Sequence, residues 1–227
     1  MGEDLRFEIV NTIPNPEESL WDLHSGPIDS SEKIKFLTKL MNDDDWELFK
    51  TETGVLTERK FIRNSDIACF RSSGFVYASP EDLLNYVSQI YDSFESIKQY
   101  DNDVTHYEVV VDKLTDDSRL CYQVNSLSWP IWSRDVLYVQ MMKKVDDSYW
   151  LVMYSVESPI RPIQADKYVR AVINISAYGF TPENDGCRVC RIAHIDPQGS
   201  IPVSVINSYA DKTSNVIKRL QQIYSDN

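Results

Sequence analysis

Three histidines, four cysteines and a few amides on apparent strands are the residues whose chemistry first needs placing in this sequence. His24, His106 and His194 stand far apart, and no Ser, His and acid arrangement or His-Glu-x-x-His spacing presents itself. Acid–base work by Asp or Glu alone stays open as an alternative. Cys187-Arg188-Val189-Cys190, followed by His194, has a zinc-like spacing. Yet 187–195 reads as a strand, where residues three apart point to opposite faces, so structural cysteines are expected and no metal. Cys69 and Cys121 have no close neighbours of their kind, which argues for reduced thiols and against a disulfide framework.

Gln123, Gln140 and Asn174 are more informative. A buried amide must find partners, either within the protein or on a ligand, so each is a candidate reader of a polar head group. Arg134, Asp135 and Arg170 sit at strand starts and fit two roles. They could form an ion pair that ties a loop to a neighbouring strand, or the Arg fork could contact a phosphate.

These residues need elements to position them. Pro14, Pro16, Gly26 and Pro27 interrupt 1–29, which reads as a loosely organised segment. Asp29-Ser30-Ser31-Glu32 then opens a helix whose Ile34, Leu37, Leu40 and Met41 share a face. Three strands follow within 46–77. Ser79-Pro80-Glu81-Asp82 is a strong helix start, and one apolar face runs on to about residue 98. Six strands are expected at 106–114, 119–127, 135–145, 149–156, 168–178 and 188–195, with turns at Thr115-Asp116-Asp117, Asp146-Asp147 and Glu183-Asn184-Asp185-Gly186. A final helix spans 201–224, with Val203, Ile206, Ala210, Ile217, Leu220 and Ile223 as its stripe. The plan is α+β: one curved antiparallel sheet of about nine strands around a long C-terminal helix, in a single domain over 1–227.

With 42% hydrophobic residues the chain can build a real core, while a net charge of −12 argues against nucleic acid and against a polybasic membrane patch. No apolar run reaches the length of a membrane span, and the acidic Met1-Gly2-Glu3-Asp4 fits neither a signal peptide nor, with Arg6, the myristoylation pattern. A monomer in the cytoplasm, peripheral to membranes, is expected.

Four motifs in order resemble the START lipid-transfer family. Pro130-Ile131-Trp132-Ser133-Arg134-Asp135 is similar to its P-x-x-x-R-D loop. Tyr154-Ser155-Val156-Glu157-Ser158-Pro159 and Tyr168-Val169-Arg170-Ala171 are similar to its S-V-x-x-P and V-R-A pair. Asp196-Pro197-Gln198-Gly199-Ser200-Ile201-Pro202, running into Val205-Ile206-Asn207, is similar to its D-x-x-G-x-[IL]-P and following helix. The resemblance implies a helix-grip fold with one lipid in an internal tunnel, moved between membranes without covalent chemistry or a cofactor. A hydrophobic-ligand sensor, or a cyclase or hydrolase on the same fold, are the alternatives.

By the family's spacing, aromatic-cage positions for choline fall on Gln123, Val136 and near Asn174, and a sterol-binding ion pair falls on Cys121 and Gln140. Neither pattern is present, which implies a less charged cavity and a phospholipid or another long-chain lipid. The candidate lipid contacts are Cys121, Gln123, Val136, Tyr138, Gln140, Arg170, Val172, Asn174, Val203, Ile206 and Ala210. Trp129, Ile131 and Trp132, crowded into loop 128–133, are candidate membrane contacts because tryptophan favours the interface. Packing of these indoles beneath the last helix is the competing reading.

Overall fold

A computed structural model describes residues 30–62, 65–127, 130–202, 205–206 and 209–225. Its elements form where the apolar period changes between helix and strand. α1 (Ser30–Met41) buries Ile34, Leu37 and Leu40 along one stripe. β1 (Glu47–Glu52), β2 (Val55–Phe61) and β3 (Ala68–Val76) follow as expected. α2 (Pro80–Ile90) opens on Ser79, whose hydroxyl accepts from the Asp82 backbone N–H at 3.1 Å, with Glu81 and Asp82 at the positive end of the helix dipole. The single helix expected up to residue 98 breaks after Ile90. Ser93 caps a separate α3 (Phe94–Tyr100) by accepting from Ser96 N–H at 3.1 Å, a side-chain bond that competes with helix continuation.

Seven further strands complete the sheet: β4 (Val104–Thr115), β5 (Ser118–Asn125), β6 (Arg134–Val145), β7 (Ser148–Ser155), β8 (Val169–Arg170), β9 (Val172–Glu183) and β10 (Gly186–Asp196). Neighbours run β1-β2-β3-β10-β9-β7-β6-β5-β4, all antiparallel, and β8 pairs in parallel with β6. The sheet therefore has ten strands, because the segment expected as one strand over 168–178 splits into β8 and β9 at Ala171. α4 (Tyr209–Tyr224) closes the chain. The last helix was expected from residue 201; Val205 and Ile206 are helical, and 203–204 and 207–208 lie outside the described residues.

Both faces of the sheet are covered, as alternation with apolar residues on each side requires. α1 packs on the convex face against Leu137, Val139, Met141, Val152 and Ile175. α2 and α4 pack on the concave face with Val136, Tyr138, Met153, Tyr178 and Val189. α4 approaches β3 so closely that a Cβ on Gly74 would stand 2.8 Å from Ile217 Cγ2. The absent side chain at Gly74 is what admits the helix.

β8 is held by a buried charge pair. Asp135, 1% exposed, accepts from Arg170 Nε at 3.0 Å and Nη2 at 2.8 Å, and from the Tyr122 hydroxyl at 3.1 Å. Arg170 Nη2 also donates to Arg161 O at 3.3 Å. This pairing explains the split of the expected strand: Arg170 is drawn beside β6 before the chain crosses into the sheet between β7 and β10.

Two outcomes follow from these contacts. Asp135→Ala strands the Arg170 guanidinium and should lower unfolding free energy in urea by about 3–5 kcal/mol; a loss under about 1 kcal/mol would mark the pair as solvent-screened. Gly74→Ala should cost about 1–3 kcal/mol by overpacking, and Ile217→Ala should cost less in that background than in the wild type. Additive losses would place the strain elsewhere.

Candidate functional site

Between α4 and the concave face lies a cavity of about 460 Å³, within the range of small-molecule sites. Its apolar wall comes from Phe70, Val136, Met153, Ile173, Ile195 and Val216. α3 contributes Ile97 and Tyr100 to one end.

Of the residues singled out from sequence, Gln123, Val136, Tyr138 and Ile206 border this space. Gln123 Nε2 donates to Asn125 Oδ1 at 2.8 Å, and its Oε1 accepts from the Tyr138 hydroxyl at 3.4 Å. Ala210 is buried in a cluster with Ala68 and Phe70, two residues of the cavity wall. Cys121 packs in the concave core off the cavity, and burial raises its thiol pKa. Gln140 is likewise set back. Its Oε1 accepts from Arg119 Nε at 2.6 Å, and its Nε2 has no partner among the described residues.

Arg170, Val172 and Asn174 are not brought to the cavity. Arg170 spends its fork on Asp135. The other two fall out because strict alternation fails in β9. His194 pairs with Ile175 and Ile195 with Ile173, leaving Asn174 as an extra residue in a bulge. Ala171 and Ile173 therefore face inward before the bulge, and Ser176 and Tyr178 after it. Val203 and Trp129 lie outside the described residues. Ile131 is half-buried, whereas Trp132 is 56% exposed although its carbonyl accepts from Arg134 Nη1.

Arg191 is the main cavity residue that sequence reasoning missed. It shares the inward face of β10 with Val189, Ala193 and Ile195. A charge within such an apolar alternation was the available signal. Its guanidinium lies 4.2 Å from the centre of the Tyr178 ring. The Tyr178 hydroxyl in turn lies 3.4 Å from that of Tyr91, and burial holds the Tyr91 phenol pKa well above its ordinary value. Arg134 also borders the space, but Nε and Nη2 donate to the carbonyls of Pro197 at 2.9 Å and Gln198 at 2.8 Å, a structural use. Its Nη2 leaves only 3.5 Å to where a Cβ would stand at Gly199, whose φ of 68° also favours glycine.

The helix over the cavity is tethered by polar contacts. Lys212 bridges Asp101 at 2.9 Å and Asp103 at 2.8 Å; burial works against its charge, but the two carboxylates hold its pKa above the ordinary value. Lys218 pairs with Glu52 at 2.5 Å, and Lys50 pairs with Asp211. A hydroxyl chain runs from Thr57 through Ser72 to Thr213, each step 3.0 Å. Exposed pairs of this kind contribute about 0–1 kcal/mol each, so the helix is held mainly by its apolar face, where Ala210, Val216, Ile217 and Leu220 are buried.

The Cys187-x-x-Cys190 spacing gathers no third ligand: no group of three or more potential metal-binding side chains occurs among the described residues. Burial raises both thiol pKa values to about 12. His194 is 5% exposed, and burial lowers its pKa to about 4. No helix among the described residues is long and apolar enough to cross a membrane.

Comparison with known proteins places this architecture. The ceramide transfer protein of Mus musculus is 31% identical over 122 residues, which cover 45% of this chain and 19% of that protein. Its Homo sapiens counterpart is 30% identical over the same shares. The matched stretch thus spans about a fifth of these relatives' length. Human STARD10 superposes with a TM-score of 0.72 at 21% identity, over 88% of this chain and 82% of that one. Human StAR-related lipid transfer protein 5 gives 0.71 at 18%, over 87% and 95%. These two likenesses establish the fold. A sequence model of the START domain matches residues 29–224, from the first helix to the last, and the chain belongs to the START domain family.

Proposed function

We propose that this chain holds one long-chain lipid in the cavity beneath α4 and carries it between membranes. The observation that supports this most directly is the cavity itself: largely apolar walls, about 460 Å³, under an amphipathic helix whose apolar face is buried and whose polar tethers are individually weak. The likeness to ceramide transfer proteins points to the same class of cargo.

Carriage without covalent chemistry is the reading favoured over catalysis. The carboxylates bordering the cavity, Asp101 and Asp103, are both committed to Lys212. Among its phenols, Tyr91, Tyr100 and Tyr138 have pKa values raised by burial, away from the range of a general base at neutral pH. His194 stays neutral at that pH but does not border the space.

Cargo exchange requires α4 to lift and the open cavity to meet a bilayer. The exposed Trp132 supplies an interfacial anchor beside the site, since loop residues 130–133 run directly into Arg134 and Val136 of the cavity wall. Transfer of a fluorescent long-chain lipid from donor to acceptor vesicles should be accelerated by the wild-type chain. Trp132→Ala should slow it severalfold with an unchanged melting temperature. Equal transfer by the variant would remove the loop from the membrane step, and no acceleration by the wild type would contradict carriage.

A further inference from the structure

Arg191 presents a problem of charge that the protein does not solve alone. It is 8% exposed, and its guanidinium bonds to two carbonyls and a hydroxyl rather than to a carboxylate. Nη1 donates to Ala177 O at 3.2 Å and to Ile192 O, and Nη2 donates to the Ser176 hydroxyl at 2.7 Å. A guanidinium has five N–H donors, so Nε–H and one N–H of Nη2 remain unspent.

Its neighbours add donors rather than acceptors. Ser176 accepts from Arg191, which leaves its own hydroxyl proton to give. The Tyr91 and Tyr178 hydroxyls can share only one bond between them, so one proton of that pair is also unspent. These four donors and the Arg191 charge border the cavity together; its two carboxylates, Asp101 and Asp103, are bound to Lys212. Burying a charge without an opposite charge is unfavourable even after relaxation, and carbonyl dipoles and the Tyr178 ring offset only part of it.

We propose that the Arg191, Ser176, Tyr91 and Tyr178 cluster is a subsite for an anionic oxygen group, phosphate ester or carboxylate, at the head of the carried lipid. This rests on the carrier reading above and narrows its cargo to anionic lipids. The group completes the cluster by supplying the negative charge and the acceptors it lacks, with the Arg edge suited to two oxygens at once. The cavity size is consistent with a modest cargo. At roughly 30 Å³ for a water-sized group, about 460 Å³ holds a head and part of one long chain, and the rest of the cargo requires α4 to move outward.

The test is competitive extraction. The full chain is incubated with phosphatidylcholine vesicles containing equal minor fractions of phosphatidic acid, oleic acid and ceramide, then re-isolated and its lipid identified by mass spectrometry. Wild type should enrich an anionic lipid over ceramide by about tenfold or more, the scale of charge-assisted hydrogen bonds. Arg191→Met should lose that preference while still loading ceramide, because an apolar replacement for a buried charge is tolerated by folds. Arg191→Lys should fall between, as an ammonium cannot fork.

Ceramide enrichment by the wild type, or an anionic preference retained in Arg191→Met, overturns the subsite. If Arg191→Met does not fold, wild-type selectivity and Arg191→Lys still decide. Recovery of no lipid of any kind would instead strike the carrier reading. Inorganic phosphate serves as the source control. Thermal stabilisation by phosphate equal to that by phosphatidic acid vesicles would assign the cluster to a small soluble anion and overturn the lipid head group.

Discussion

Everything in this structure answers to one constraint: a ten-stranded sheet must be covered on both faces while a space of about 460 Å³ is kept on one of them. If that space were dry and unfilled, the cavity cost of about 24 cal/mol per Å³ would be on the order of 10 kcal/mol. That rivals the whole stability of an ordinary domain. On the carrier proposal an occupant removes that cost, and the remaining features serve to hold the walls apart, let the occupant in and read its polar end.

The walls are held from outside. α1 and the convex cluster around Leu137, Met141 and Ile175 bury one face without help from the cargo. The Asp135 and Arg170 pair, with Arg134 bonded to the Pro197 and Gln198 carbonyls, fixes the ends of β6 and the chain leading to the last helix. The concave face can then remain partly unfilled without the sheet collapsing. The lid is treated differently. It touches β3 through a glycine and buries Val216, Ile217 and Leu220, while its polar tethers are hydroxyls and ion pairs near solvent, which the carrier proposal takes as the contacts remade on opening. Rigid wall and reversible lid are the two mechanical needs of a carrier.

Much of this was legible in the sequence. Periodicity revealed the strands and terminal helix because each buries one consistent face, and four short motifs in order pointed to the family. On β6 the alternation is unbroken, so Val136 and Tyr138, expected on one face, both border the space. β9 was misread for a local reason. One extra residue at Asn174 exchanges the two faces midway, and a bulge leaves no mark on hydropathy. The break between α2 and α3 was hidden for a similar reason, since the apolar stripe continues across it while Ser93 starts a new helix. Arg191 lies in none of the four motifs, and the amides do not point to it. A charge on an otherwise inward apolar face was the stronger sign.

The central claim is that the space beneath α4 belongs to a single lipid molecule. Native mass spectrometry of the purified chain, paired with its melting temperature before and after delipidation, addresses it most directly. The account predicts one lipid mass per chain and a melting temperature that falls on stripping and recovers on reloading. A bare chain mass whose melting temperature is indifferent to added lipid would contradict it.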